Sequence, residues 1–126
     1  MKFPKTENDN NKIEVRVRLR CENIYFGPGA AELLELIKKG ESVREACKMM
    51  SMSYSKGWKI INTIEDQTGF DAVIRQHGGA HGGRAELSEE GKALLLCFRK
   101  VENEINSFAK ERFNYYLGED NDKKTV

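Results

Sequence analysis

The stretch from Ser42 to Gly69 constrains the fold most, because it encodes two helices with almost nothing between them. Ser42 is a good N-cap, and Glu45 three residues later completes the pattern of a capping box for a short first helix. Ser53 can cap a second, longer helix, and Gly69 can end it. A short helix, a tight turn and a longer helix are typical of a helix-turn-helix.

The second helix has two unlike sides when its residues are projected at about 100° each. The apolar side can dock on a core and holds Tyr54, Gly57, Trp58, Ile60, Ile61 and Ile64. The opposite side holds Ser55, Lys59, Asn62, Thr63 and Asp66, with Lys56 on its flank. Ammonium, hydroxyl and amide groups of this kind reach phosphates and base edges in the DNA major groove. A solvated face of an ordinary amphipathic helix has the same pattern, but the short turn before the helix and the glycine-rich hairpin after it favour a DNA-reading helix.

Composition sets the broad class. The 126 residues favour one domain, and 33% of them are charged, which is typical of a soluble chain. No apolar run is long enough to span a membrane and the start of the chain has no signal-peptide core, so a cytoplasmic protein is expected. The net charge of +1 gives no global attraction to nucleic acid. However, residues 38–84 hold eight Lys/Arg against five Asp/Glu, which places a small basic surplus with the helix pair.

The segments before the helix pair are a tail, a strand, a turn and a helix. Residues 1–11 are polar and are expected to be disordered. Residues 12–21 alternate apolar and polar side chains, which predicts a half-buried strand. Its outer face carries three arginines that could meet phosphate, but a solvated face that protects an edge strand is favoured. Residues 23–29 are expected to form a turn, and Ala30 to Lys39 a helix that Gly40 ends.

A glycine-dense hairpin is expected after the helix pair. A short strand around Ala72-Val73-Ile74, a loop over 77–83 and a return strand over 84–87 would form a wing. His77 and His81 in the loop are spaced for a metal pair, but the other ligands are missing. No metal and no cofactor are therefore predicted.

The last helix is expected to begin after its N-cap Ser88 and to run from Glu89 to about Leu117, before a polar tail over 118–126. Large apolar residues recur along it at heptad-like spacings, interrupted by Arg112. This helix could pack on its own domain, but a small domain has little core left for so many large residues. Pairing with the same helix of a second chain is favoured, through Leu94, Phe98, Val101, Ile105, Phe108 and Tyr115.

The stretch from Gly27 to Leu95 resembles the N-terminal DNA-binding domain of ModE-type molybdate-responsive regulators, which are often grouped with LysR-type winged helices. The resemblance is carried by Gly27-Pro28-Gly29-Ala30, Met52-Ser53-Tyr54-Ser55-Lys56-Gly57-Trp58, Gly78-Gly79-Ala80-His81-Gly82-Gly83 and Leu87-Ser88-Glu89-Glu90-Gly91. It implies a mainly α fold with a small β wing: a winged helix-turn-helix over 12–87 with an N-terminal strand, followed by a long C-terminal dimerisation helix over 88–117.

The same resemblance implies where DNA would bind. The recognition helix, residues 53–68, would enter the major groove, and the wing would lie near the backbone. The candidate DNA-binding residues are Ser53, Tyr54, Ser55, Lys56, Lys59, Asn62, Thr63, Arg75 and Arg84. Asp71-Ala72 stands where the family usually has Pro-Leu, and Arg84 stands where another glycine is common. Full-length members carry C-terminal oxyanion-binding domains, and since none follows the long helix in this sequence, direct sensing of molybdate by this chain is not expected and no small-molecule effector is evident.

These features predict a homodimeric, sequence-specific DNA-binding transcriptional regulator, with double-stranded DNA and a second copy of the chain as partners and no membrane. Two other functions fit less well: a winged-helix module that binds a protein and not DNA, and a sensor of an oxyanion or metal through the histidine-bearing wing. An enzyme is not expected, because no catalytic triad, nucleophile elbow or paired-carboxylate pocket is visible.

Overall fold

The structure is a computed structural model that describes residues 12–76 and 84–121. The chain is mainly helical, with two small antiparallel strand pairs, which agrees with the class predicted from the sequence. The described elements are β1 (Leu19–Arg20), β2 (Ile24–Phe26), α1 (Pro28–Lys38), α2 (Val43–Met49), α3 (Tyr54–Thr68), β3 (Val73–Gln76), β4 (Arg84–Leu87) and α4 (Glu89–Asn121). The chain divides into two compact units, one over 17–99 and one that, among the described residues, joins 12–16 to 100–121.

The core of the 17–99 unit is built from one apolar side of each helix. α1 contributes Leu33 and Leu34, which are fully buried, and α3 contributes Ile61 and Ile64. The ring of Phe98 in α4 meets Phe26 in β2 edge-to-face, with 4.9 Å between ring centroids. Burial of side chains this large supplies most of the stabilisation of a small domain.

The caps predicted for the helix pair are confirmed. Ser42 Oγ accepts a hydrogen bond from the Glu45 backbone N–H at 3.0 Å at the start of α2. Ser53 Oγ accepts one from the Lys56 N–H at 3.1 Å at the start of α3. Gly69 ends α3 in the left-handed region, with φ 81°. Each cap satisfies a backbone group that a helix terminus leaves without an intrahelical partner.

The turn between α2 and α3 is a Schellman motif built without glycine. Ser51 N–H donates to the Lys48 carbonyl at 3.1 Å, and Met52 N–H donates to the Cys47 carbonyl at 2.9 Å. Ser51 holds the left-handed position of this motif, with φ 54°. The same motif ends α1, but there Gly40 holds that position, with φ 106°. Ser51 therefore carries a backbone strain that Gly40 avoids.

The packing of α2 against α3 depends on Gly57. A Cβ at this position would overlap the Sγ of Cys47. Cys47 is buried in the same contact, and burial raises the pKa of its thiol above the ordinary value. A buried thiol with a raised pKa is chemically inert, so Cys47 has a packing role in this contact.

The β3–β4 pair confirms the two strands of the expected hairpin. The strands are antiparallel, in a register that runs from Val73 opposite Leu87 to Gln76 opposite Arg84. Ser88, which is buried, joins this pair to α4: its Oγ donates to the Asp71 carbonyl and accepts the Gly91 N–H at 2.8 Å. Ser88 is thus the N-cap of α4, as expected. The helix continues to Asn121, four residues beyond the end that the sequence suggested.

Two expectations for the first part of the chain were wrong. A strand was expected over 12–21, but only Leu19–Arg20 forms one, and the expected turn over 23–29 contains its partner, β2. The alternation was real, since residues 13–20 are more buried at Val15, Val17 and Leu19 than at the residues between them. Alternation shows which side chains face inward, but a strand also needs a partner for its backbone.

The second unit contains residues 12–16 and 100–121 among those described. Here the side chain of Asn106 in α4 takes the place of a partner strand for Val15. Its Oδ1 accepts the Val15 N–H at 2.9 Å, and its Nδ2 donates to the Val15 carbonyl at 3.1 Å. The amide therefore satisfies both backbone groups of Val15.

Candidate nucleic-acid interface

The two sides of α3 are separated in the structure as their polarity suggested. Gly57, Ile61 and Ile64 are buried. Seven of the nine candidate DNA-binding residues lie at the N-cap or on α3 itself, all of them exposed except Thr63, which is half-buried: Ser53, Tyr54, Ser55, Lys56, Lys59, Asn62 and Thr63. The structure brings these side chains onto one helix, and their role in binding DNA stays a prediction.

A shallow depression lies along this face of α3. It is lined by Ser55, Trp58, Lys59, Asn62, Thr63 and Asp66. Thr63 Oγ1 donates to the Lys59 carbonyl at 2.8 Å, so its hydroxyl offers only lone pairs to an approaching ligand. Asp66 places a carboxylate at the far end of the depression, away from the N-terminus of the helix.

Arg44 in α2 lies beside the start of α3, and the sequence interpretation missed it. Its Cζ lies 4.4 Å from the centroid of the Tyr54 ring, in a cation–π contact. The Tyr54 side chain is 42% exposed, although its position in the sequence placed it on the apolar side of α3. Arg44 extends the set of cations on this surface beyond α3 itself.

Arg75 in β3 is held on α3 by three contacts. Its Cζ lies 4.6 Å from the centroid of the Trp58 ring. Its Nη2 lies 3.3 Å from Asn62 Oδ1 and 3.3 Å from Glu65 Oε1. These contacts place a residue of the β3–β4 pair directly beside the polar face of α3. Trp58, which was expected in the core, is half-buried: one part packs on the core and the other supports Arg75.

Glu65 was not identified from the sequence as part of this surface. Besides Arg75, it binds the backbone at the start of β3: Oε2 accepts the Ala72 N–H at 2.9 Å and the Val73 N–H at 3.4 Å. One carboxylate therefore fixes both the entry to β3 and the position of the Arg75 guanidinium. No local pattern signals such a residue, because its partners lie across a turn.

The resulting surface is rich in hydrogen-bond donors. Arg44, Lys56, Lys59 and Arg75 supply the cations. The charge of Glu65 is offset by Arg75, at 3.3 Å, and Asp66 is exposed. Cations and amides in this arrangement can donate to phosphate oxygens and to the acceptors of base edges. The side chain of Arg84, also predicted to contact DNA, lies outside the described residues.

Within residues 12–76 and 84–121, no three His, Cys, Asp or Glu side chains are grouped so that they could hold a metal ion. His77 and His81, weighed as a metal pair, lie outside those ranges. Over the same ranges, no helix is both long and apolar enough to cross a membrane.

The six residues predicted to form the dimer stripe on α4 fall into two groups. Phe98 is 2% exposed and belongs to the core, and Leu94 packs against that core. The remaining four are exposed large side chains: Val101, Ile105, Phe108 and Tyr115. The part of the stripe that is open for a partner therefore begins at Val101, because the first two positions cover the chain's own core.

Three curated proteins match most of this chain. It is 32% identical over 91 residues to the "Molybdenum transport protein ModE" of Azotobacter vinelandii, a match that covers 70% of the chain. This chain is related in sequence to ModE proteins. The "Transcriptional regulator ModE" of Yersinia pestis is 27% identical over 88 residues, or 69% of the chain. The "Molybdenum-pterin-binding protein MopA" of Rhodobacter capsulatus is 28% identical over 79 residues, or 63%.

The matches confirm the relationship to ModE-type proteins that the sequence motifs suggested. The chain spans about one third of the length of these relatives, since the matched parts cover 34%, 34% and 30% of them. No model of a known protein family matches the chain.

Proposed function

We propose that this chain is a sequence-specific, DNA-binding transcriptional regulator that acts as a homodimer. The observation that carries the proposal is the exposed polar face of α3, beside which Arg44 and Arg75 lie over the rings of Tyr54 and Trp58. α2 and α3 would be the helix-turn-helix, and the β3–β4 pair would be the wing. The name of one relative, a transcriptional regulator, supports the same function.

In this proposal α3 lies in the major groove. Ser55, Lys59 and Asn62 lie one helical turn apart along its exposed side and would read base edges. Lys56 and Arg44 would contact phosphates near the start of the helix, which positions it without reading sequence. Trp58 is half-buried, and its ring packs against the guanidinium group of Arg75 beside this face.

The dimer would form along α4. Val101 is 41% exposed, Ile105 37%, Phe108 65% and Tyr115 54%, which is unusual for four large apolar or aromatic residues on one helix. Their heptad-like spacing fits a paired helix. Two copies related by a two-fold axis would present two α3 helices to half-sites about 34 Å apart, or farther.

A protein-interaction module without DNA binding is the second candidate. The net charge of +1 favours it, because DNA-binding domains usually carry a clear excess of positive charge. Exposed aromatic residues near the end of α4, Tyr115 and Tyr116, stack with Arg112 and offer the residue types that are enriched in protein interfaces.

The test is selection of binding sites from a random-sequence duplex pool at low and at physiological salt, with the mass of the protein in solution measured in the same buffers. The regulator proposal predicts a dimer that enriches a palindromic site and whose affinity falls steeply with salt. Retention of no preferred sequence, together with salt-insensitive capture of a protein partner, would replace it with the interaction module.

A further inference from the structure

The contact between Arg75 and Asn62 fixes which way the Asn62 amide faces. A guanidinium group has only donors, so the atom that lies 3.3 Å from Arg75 Nη2 must be the carbonyl oxygen of Asn62. The amide nitrogen is then turned away from Arg75. Asn62 is exposed on the polar face of α3, and its nitrogen has no partner among the residues that the structure describes.

The guanidinium group of Arg75 is itself held in place by two neighbouring side chains. The ring of Trp58 supports the guanidinium from one side, and Glu65 pairs with the same nitrogen that contacts Asn62. Glu65 is in turn held by the backbone at the start of β3. The orientation of Asn62 is therefore set by a chain of contacts that reaches from α3 into β3 and back.

The orientation of its side-chain amide decides which base an asparagine can recognise in the major groove. An amide whose oxygen and nitrogen are both available pairs bidentately with adenine, accepting from N6 and donating to N7. An amide whose oxygen is engaged by a cation presents chiefly its two N–H donors. Such a donor matches the major-groove edge of guanine, which offers the two acceptors N7 and O6.

We infer that Arg75 is a specificity-determining residue that acts through Asn62: by holding the carbonyl oxygen, it makes Asn62 select guanine instead of adenine at the base it faces. This inference rests on the proposed DNA-binding function and extends it to one base position. Arg75 is a positioning residue in this scheme, because it acts on the base through the amide of Asn62 and not by touching the base itself.

The experiment compares sites selected from the random pool by the wild type and by variants at these two positions. Asn62→Ala locates the base concerned, because only the preference at that position should disappear. Arg75→Leu and Arg75→Met keep an aliphatic group on Trp58 but release the amide, so the preferred base should change from guanine to adenine, with about a tenfold change in their relative affinity. Arg75→Lys keeps a donor, and guanine should remain preferred.

The outcomes separate the inference from the proposed function. If wild type selects no sequence, DNA reading fails and this inference fails with it. If wild type selects a site but prefers adenine at the Asn62 position, or if both Arg75→Leu and Arg75→Met keep the wild-type base, the inference alone is overturned. A uniform loss of affinity in those two variants, with unchanged base preference, would assign Arg75 to phosphate contact only. Circular dichroism and thermal unfolding of each variant verify that it is folded.

Discussion

The Cα of Gly57 in α3 packs directly against the Sγ of Cys47 in α2, with no space for a Cβ between them. This contact sets how closely the two helices approach. It also explains why α3 has a glycine at its fourth residue, since glycine is otherwise unfavourable inside a helix.

Replacing Gly57 with alanine is expected to destabilise the protein by about 1–3 kcal/mol, because the new methyl group overlaps the sulfur. In a Cys47→Ala background the same change should be neutral or stabilising. There the nearest remaining neighbour is Val43 Cγ1 at 3.8 Å, an ordinary contact, and alanine is the better helix former by about 1 kcal/mol. Urea unfolding of the four proteins in this double-mutant cycle measures the coupling. Additive effects would show that the sulfur is not the obstacle.

Ser51→Gly is expected to stabilise the protein by about 0.5–1 kcal/mol, because Ser51 occupies the left-handed position of a Schellman motif. Gly40 holds the equivalent position after α1, so Gly40→Ser is the matched reverse change and should destabilise by a similar amount. Both effects are read from the midpoints of urea unfolding. A loss of stability in Ser51→Gly would mean that the serine contributes more than its backbone strain costs.

Lys59→Ala is expected to weaken binding to the selected site by about 1–3 kcal/mol, since Lys59 lies at the centre of the exposed face of α3. Lys100→Ala removes the same charge from an exposed position on α4 and should change the affinity by only a few tenths of a kcal/mol. Fluorescence anisotropy with the selected duplex gives both values. Equal losses in the two variants would point to a general charge effect.

Phe108→Glu is expected to convert the dimer to a monomer, because it places a charge on the most exposed large residue of the α4 stripe, which is 65% exposed. Asn114→Glu adds the same charge at an exposed position on another side of the helix and should leave the dimer intact. Analytical ultracentrifugation distinguishes the two states. A wild-type monomer at all concentrations would contradict the pairing of α4.

Asn106→Ala is expected to release residues 12–16, because it removes both hydrogen bonds to Val15. Limited trypsin digestion should then cleave after Lys12 and Arg16 faster than in the wild type. Asn103→Ala, at an exposed position on the same helix, is the control and should not alter cleavage there. Unchanged cleavage in Asn106→Ala would show that other contacts hold this segment.

The local signals in the sequence predicted local structure well. Ser42, Ser53, Gly69 and Ser88 each act on backbone groups within a few residues, and all four lie where the sequence placed them. Residues whose partners lie far along the chain were missed. Gln67 is an example: its Oε1 accepts the Glu22 N–H at 3.0 Å and the Asn23 N–H at 2.8 Å, more than 40 residues away.

In the candidate site, too, the features that depend on nearby residues could be predicted and those that depend on distant residues could not. The polar side of α3 follows from helical period alone, so Lys59 and Asn62 could be found from the sequence. The attachment of Arg75 to Trp58 and Glu65 depends on where β3 lies relative to α3, which no local pattern contains. Arg44 was missed for a similar reason, because its contact with Tyr54 depends on the angle between α2 and α3.

The pairing of Val15 with Asn106 has a consequence for the order of folding. The two residues are 91 positions apart, and closing a loop of that length costs about 4 kcal/mol in chain entropy, apart from a constant. During synthesis residues 12–16 leave the ribosome long before Asn106 exists, while the elements between residues 17 and 99 can already find one another. The segment that is made early is therefore expected to be among the last to find its place.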